Sequence, residues 1–302
     1  MIDGKRVVCW TPYGREATVS ILAEYMERDY RAGIVDEWWL CLNTDPDQVT
    51  DLAYAYQLAG LSQRSTDPFI SIRERPAGRP RRRPKQRNTG YFYEYMTDED
   101  TVYVRFDDDI VYVEPNAIER LVRHRLEHQQ GVCSFPVMWN NAIVSWYAQQ
   151  AGLIPAAGTV TEDYTWPKVG GPYCMDPVGW ADGRFAVAIH RQLLDALETG
   201  DADAPEGFFL YQDMPIQPGT QFSVSVFASL GSLYKSLPEP GVLVPYEEEN
   251  WHTVHQPQVL NQPNILVGDA LVSHYTFFPQ GAIVRGTNIL DRYRALAQKV
   301  NR

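Results

Sequence analysis

The segment Thr101-Val102-Tyr103-Val104-Arg105-Phe106-Asp107-Asp108-Asp109-Ile110-Val111-Tyr112-Val113 decides how this chain is read. Apart from Arg105, its first six residues are β-branched or aromatic, which predicts a buried strand over Thr101–Phe106. Three aspartates close it. Adjacent like charges repel and raise one another's pKa, so the run is costly unless water or a cation offsets it. Ligands of a parallel α/β sheet bind beyond the carboxyl ends of its strands. Carboxylate oxygens there suit a hard divalent cation, Mn2+ or Mg2+. Alternation along extended backbone sets Asp107 and Asp109 on one face and Asp108 on the other. A solvated acidic turn is the plain alternative, and the preceding strand favours the metal reading over it.

Outward toward the N-terminus, Arg6–Trp10 reads as a buried strand. Thr11-Pro12 follows, with Thr suited to cap a helix and Pro to its first turn. Val19, Leu22, Tyr25, Met26 and Tyr30 recur at helical spacing within Arg15–Arg31, and Gly33 ends that stretch. Glu37–Leu42 predicts a second strand, closed by Asn43-Thr44-Asp45-Pro46, and Asp47–Ala59 a second helix. Strand, helix, strand, helix implies a doubly wound parallel sheet.

In the other direction, Ile110–Val113 continues as a short strand, a helix starts near Pro115, and Gly131–Val137 is strand-like. A helix is also expected over Thr89–Met96. Phe185–Ile189 reads as a strand and His190–Glu198 as a helix ended by Gly200. Phe222–Leu237 reads as a helix, and Asn288–Val300 as an amphipathic one capped by Thr287 or Asn288. The fold class is α/β: a Rossmann-type mixed sheet flanked by helices, one domain over 1–302. A functional division near residue 140 separates a first half (1–140) from a second (141–302).

Composition narrows the function. The 302 residues are 44% hydrophobic and 22% charged, as in ordinary globular proteins. No apolar run reaches the roughly 20 residues of a membrane span. Met1–Arg6 shows no signal-peptide pattern, and Cys9, Cys41, Cys133 and Cys174 lie far apart without metal spacing, so a reducing cytoplasmic setting is expected. A net charge of −11 argues against general nucleic-acid binding. One strip breaks the pattern: eight basic residues against Glu74 lie between Arg73 and Arg87, punctuated by Pro76, Pro80 and Pro84. It reads as a loop.

Arg105-Phe106-Asp107-Asp108-Asp109-Ile110, after a βαβα half, resembles the D-x-D strand end of GT-A glycosyltransferases, family-2-like and of bacterial or phage type. Thr11-Pro12-Tyr13-Gly14-Arg15 is similar to the first-strand loop that embraces the nucleotide in such enzymes. The strand ending at Asn43-Thr44 is similar to the one beside the base. Ser273-His274-Tyr275-Thr276-Phe277-Phe278-Pro279-Gln280 resembles the segment that supplies a histidine metal ligand. The resemblance implies a GT-A-like fold with a nucleotide-sugar half and an acceptor half. The implied activity is metal-dependent transfer of a hexose from a nucleotide-diphosphate sugar, most commonly a UDP-sugar, to a hydroxyl. It implies Asp107, Asp109 and His274 as metal ligands. Thr11, Pro12, Arg15, Asn43, Arg87, Asn88, Asp107 and Asp108 would contact the nucleotide sugar.

Inverting transfer needs a base within reach of the acceptor hydroxyl. Tyr211-Gln212-Asp213-Met214 is the best match to the acidic pair that carries it in such enzymes, so Asp213 is the expected base. Gln212 departs from the pattern and leaves inversion or retention open, and Asp213 could instead cap a turn before Pro215. Glu247, Glu248 and Glu249 form a rival acidic cluster that also reads as solvated surface. Trp180 and Asp182 resemble acceptor-side loops, with Glu248 beside them; Trp180 could equally be core. His124 and His128 share a helix face at i,i+4 with no acidic third ligand in sequence, and read as polar surface. Two other readings stand: a nucleotidyltransferase, which would normally show a Gly-rich loop and lysine after the first strand, and a non-catalytic module binding an anionic partner such as DNA through Arg73–Arg87. The acceptor stays open among a modified DNA base, a protein and a glycan.

Overall fold

The computed structural model describes residues 1–64, 68–75, 89–161, 164–200, 206–235 and 248–301. Within them β1 (Arg6–Tyr13) pairs parallel with β2 (Glu37–Leu42) on one side and β4 (Thr101–Phe106) on the other; β3 (Ile70–Arg73) extends β2 in parallel. The helices α1 (Glu16–Arg31) and α2 (Val49–Gln63) supply the crossovers. β1 runs three residues past Trp10, so Thr11 and Pro12 are buried strand residues and cap no helix. Thr11 Oγ1 instead accepts from Trp38 Nε1 at 3.0 Å. Pro12 fits because β1 pairs with β4 only as far as Trp10, so its missing N–H breaks no ladder.

Beyond β4 the sheet becomes mixed. β10 (Val226–Leu230) lies antiparallel to β4 and touches β6 (Ser134–Trp139) at Ala228–Ser134. β11 (Asn264–His274) runs parallel to β6 and antiparallel to both β5 (Ile110–Val113) and β9 (Met214–Ile216). The nine strands so paired, among the described residues, follow the order β3-β2-β1-β4-β10-β6-β11-β5, with β9 on β11. A separate pair, β7 (Val160–Thr161) and β8 (Tyr164–Thr165), stands apart. α3 (Ala117–Glu127) and α4 (Ala142–Gln150) flank β6; the side chain of Asn141 caps α4 by accepting from the N–H groups of Ile143 and Val144.

Two expectations are corrected. Phe222–Leu237 is not a helix: its centre is β10, and among its described residues only Ser232–Lys235 turns helically. β10 is buried on both faces, so its apolar run carries no period of two and mimics a helix. Gly231 then lets the chain pass Asp98, since a Cβ there would lie 1.9 Å from the Asp98 carbonyl oxygen. Phe185–Ile189 is not a strand. It opens α5 (Gly183–Thr199), which buries Phe185, Ala186, Ile189, His190, Leu193, Leu194 and Leu197 in one helical stripe. Residues Thr89–Tyr95 form 3-10 turns, and the C-terminal helix spans Ile289–Val300, with Thr287 Oγ1 accepting from Ile289 N at 3.4 Å.

The main core packs α1, α3, α5 and the C-terminal helix against one side of the sheet. The other side carries an aromatic cluster that includes Trp10, Trp39, Tyr93, Tyr103 and Tyr234. Each layer buries a histidine. His190 donates through Nε2 to the Tyr275 carbonyl at 2.7 Å and meets Tyr293 Oη through Nδ1 at 3.0 Å. His252 meets the Glu248 carbonyl at 2.8 Å through Nδ1. Burial pushes both rings down to about 4. The folded state therefore prefers them neutral: their contribution is complete above about pH 6.5 and is lost as pH falls toward 4. Urea midpoints are expected to drop between pH 7 and pH 4.5, and the double substitution His190→Asn with His252→Asn should flatten that slope. An equally steep slope in the double variant would assign acid sensitivity elsewhere.

Candidate functional site

The carboxyl ends of β1, β2 and β4 point the same way, and the three aspartates close β4 at that edge. Each has a separate partner. Asp107 accepts from Arg105 Nη2 at 2.8 Å and keeps about a quarter of its side chain exposed, at 26%. Asp108 is buried, forms a two-pronged bond with the Arg15 guanidinium, and its carbonyl accepts from Thr18 Oγ1. Asp109 is buried 3.0 Å from Arg15 Nη2 and 3.3 Å from His274 Nε2.

His274 comes from the far part of the chain on β11, whose last ladder pair sets it opposite Ile110. Three contacts fix it there. Tyr275 N donates to the Asp109 carbonyl at 2.8 Å. Asn140, in the left-handed region at φ 61°, donates its side-chain amide to the carbonyls of His274 and Tyr275 at 3.1 and 3.2 Å. The imidazole packs on Phe277, ring centres 4.3 Å apart. Its Nδ1 is buried with no hydrogen-bond partner among the described residues. His190 holds the same segment from below through the Tyr275 carbonyl.

Beneath Asp107 lies a second buried network. Arg105 sits within the sheet, donating through Nη1 to the Val224 carbonyl at 2.6 Å and standing 3.3 Å from Glu248. Thr89 Oγ1 and Tyr93 Oη donate to the Glu248 carboxylate. Glu248 is thus buried and committed to Arg105, not solvated surface. Glu249 next to it is only partly covered and accepts from Gln221 Nε2 at 2.5 Å.

Four carboxylates (Asp107, Asp108, Asp109, Glu248) face two guanidinium groups (Arg15, Arg105). The acids are in excess by two charges. Removal from solvent, together with Asp109, Asp108 and Glu248, pushes Asp107 up to about 6 against the pull of Arg105. Asp109 moves the other way: burial opposes its charge, but His274 and Arg15 outweigh that and hold it well below the usual carboxylate range. Burial raises the Glu249 carboxyl, against the pull of Gln221 and Arg105.

These groups can be tested against a divalent ion. Two donors on adjacent corners of an octahedral ion, each about 2.1 Å away, stand about 3 Å apart. Asp109 Oδ1 and His274 Nε2 are 3.3 Å apart, so the pair fits. The expected third ligand does not join them, because Asp107 is drawn to Arg105. Among the described residues no group of three His, Cys, Asp or Glu side chains is arranged to hold a metal. The donor chemistry and the charge excess therefore fit a cation that takes its other ligands from a bound anion and water, the ordinary habit of Mg2+.

The remaining expected residues are distributed unevenly. Thr11, Pro12 and Asn43 are buried at the ends of β1 and β2, where Asn43 N donates to the Tyr13 carbonyl at 3.0 Å. Arg87, Asn88, Glu247 and the strip from 76 onward lie outside the described residues. Trp180 is half-buried in the turn Pro177–Ala181, which Gln280 ties to the His274 segment through the Gly179 carbonyl at 3.2 Å. Asp182 is the N-cap of α5, accepting from Arg184 N at 2.8 Å and from Phe185 N. Asp213 is not beside the aspartates. It accepts from Gly268 N at 2.9 Å, six residues before His274 on β11 and so roughly 20 Å away at strand rise. Its other oxygen lies 3.5 Å from His124 Nε2. His124 is itself buried, Nδ1 meeting Ser134 Oγ at 2.8 Å, so the pair with His128 is not simply polar surface. Sequence reasoning missed Arg105, whose lone charge inside a β-branched strand was the available signal.

An open cleft of about 400 Å³ adjoins the cluster, with Arg15, Asp51, Tyr275 and Arg285 among its walls. No helix among the described residues is long and apolar enough to cross a membrane.

No family model matches this chain, and no curated protein matches it. Among solved structures, glucosyl-3-phosphoglycerate synthase from Mycobacterium tuberculosis in complex with phosphoglyceric acid is 15% identical, covering 98% of this chain and 81% of that one, at TM-score 0.45. The same enzyme with Mn2+, uridine diphosphate and phosphoglyceric acid is 14% identical over 97% of this chain and 79% of its own, at TM-score 0.42. CMP:2-keto-3-deoxy-manno-octonic acid synthetase with CTP is 13% identical over 97% and 99%, at TM-score 0.40. Likenesses this distant carry no residue, substrate or metal over to this chain.

Proposed function

We propose that this chain is a metal-dependent glycosyltransferase, taking a hexose from a nucleotide-diphosphate sugar, with UDP the expected nucleotide, to a hydroxyl acceptor. One observation carries the reading: Asp109 and His274, from opposite parts of the chain, meet at a strand end where acids exceed bases by two charges. A binding surface has no use for such a pair, and a diphosphate would be repelled unless a cation came with it. Asp109 and His274 would hold Mn2+ or Mg2+, with Asp107 the third group close by. When bound, the ion supplies Lewis-acid neutralisation of the departing diphosphate.

The chain's own groups would do the rest. Thr11, Pro12 and Asn43 would border the nucleoside at the ends of β1 and β2, and Arg15 would exchange part of its pairing with Asp108 and Asp109 for phosphate oxygen. The base must take the acceptor proton as oxygen attacks the anomeric carbon and the sugar–phosphate bond breaks, its electron pair leaving with the diphosphate. Glu249 suits this better than Asp213: it adjoins the Arg105–Asp107 network, is partly accessible, and its raised carboxyl is nearer to a working pH. The half up to residue 140 would then serve the donor, and the later half the acceptor, in a cytoplasmic setting.

A panel of nucleotide sugars assayed with Mn2+, Mg2+ or a chelator tests the proposal. Release of nucleoside diphosphate from at least one sugar, lost on chelation, is the expected result. Pyrophosphate release from a nucleoside triphosphate and a sugar would favour the nucleotidyltransferase reading. If DNA is the acceptor, neutralising Arg81, Arg82 and Arg83 together should weaken DNA binding and flatten its salt dependence. An unchanged slope would point to a protein or glycan.

A further inference from the structure

We propose, resting on the metal-dependent reading of the aspartate edge, that Glu248 is a positioning residue: it takes over Arg105 so that Asp107 can turn onto the cation held by Asp109 and His274. The cation would thereby gain its third carboxylate or imidazole ligand from the chain itself.

Asp107 is anchored firmly by its backbone and lightly by its side chain. Its N–H donates to the Ser225 carbonyl at 2.7 Å. Its carboxylate accepts one hydrogen bond among the described residues, from Arg105 Nη2 at 2.8 Å, and 26% of the side chain is exposed. A change of partner therefore costs one side-chain bond and no backbone contact.

Arg105 alone would forbid that change. Its side chain is 5% exposed, and its Nε is buried with no partner among the described residues. A buried charge stripped of its counter-ion is strongly disfavoured, more so than loss of the whole pair. Glu248 removes the obstacle. Its carboxylate is 8% exposed and stands 3.3 Å from Nη1, the terminal nitrogen that Asp107 does not use. Thr89 Oγ1 and Tyr93 Oη donate to its two oxygens and hold it in place. Charge-assisted bonds close at about 2.7–2.9 Å, so the Arg105–Glu248 pair is slack and can tighten as Asp107 leaves. A neutral amide at 248 could still accept from Thr89 and Tyr93, but it could not neutralise Arg105.

Two measurements on the full chain test this. Titration with Mn2+ alone, followed by the paramagnetic resonance of the free ion, should show Glu248→Gln binding about 10–100-fold more weakly, the usual cost of losing a group that orients a metal ligand. Arg105→Gln combined with Glu248→Gln should return the affinity close to the parent's, because no guanidinium then claims Asp107. A merely structural Glu248 would leave that double variant as weak as the single one. Crystals of the parent grown with Mn2+ should show Asp107 on the ion and Arg105 closed onto Glu248 at about 2.8 Å. This second measurement decides the matter even where Glu248→Gln does not fold. Mn2+ bound with Asp107 still on Arg105, a Glu248→Gln affinity within about twofold of the parent, or a double variant that recovers nothing would overturn the role of Glu248 and leave the metal site standing. Failure of Mn2+ to bind the parent at all would overturn both.

Discussion

Asp109→Asn is expected to abolish manganese-dependent donor binding and to lower donor hydrolysis by about 10²–10³-fold, the scale of removing one preorganised electrostatic contact. The amide keeps the size of the side chain but not its charge, so Arg15 and His274 would lose their shared anion. The backbone tie from Tyr275 N to the Asp109 carbonyl would survive, and circular dichroism should look native. His274→Ala should weaken manganese binding as well, with His274→Asn recovering part. Calorimetry showing full manganese and donor affinity in Asp109→Asn would sink the metal reading.

The second large effect concerns the base. Glu249→Gln should leave donor binding near normal while transfer falls by about 10²–10⁴-fold, because a base acts only in the reaction step. Asp213→Asn should stay within a few-fold of the parent, since its carboxylate serves Gly268 and His124. The reverse ranking would return the base to Asp213 and require β9 to approach the aspartates in the ternary complex.

The donor side of the fold was legible because its signals are local. β-branched and aromatic runs marked β1 and β4, the apolar run Trp38–Leu42 marked β2, and the stripe of Val19, Leu22, Tyr25 and Met26 marked α1. The aspartates announced themselves by charge. β10 and α5 were misread for different reasons: the run of β10, buried on both faces, has no period to read, and a five-residue window of α5 contains barely more than one turn. Partnerships across the chain were less accessible. Nothing near Glu248 in sequence predicts Thr89, Tyr93 and Arg105 around it, and nothing near Asp213 predicts His124. His274 was reached only through the resemblance of Ser273–Gln280 to a metal-ligand segment, since nothing local ties it to Asp109.

β11 pairs with β5, β6 and β9, and all three precede it in the chain. During synthesis those strands emerge with no partner for the edges that β11 will occupy. Their pairing must wait until residues 264–274 have left the ribosome. Contacts of such long sequence separation slow folding and leave strand edges open to other chains in the interval. The same late insertion delivers His274 to Asp109. In refolding from denaturant, the slow phase that closes the sheet should therefore also be the phase in which manganese affinity first emerges.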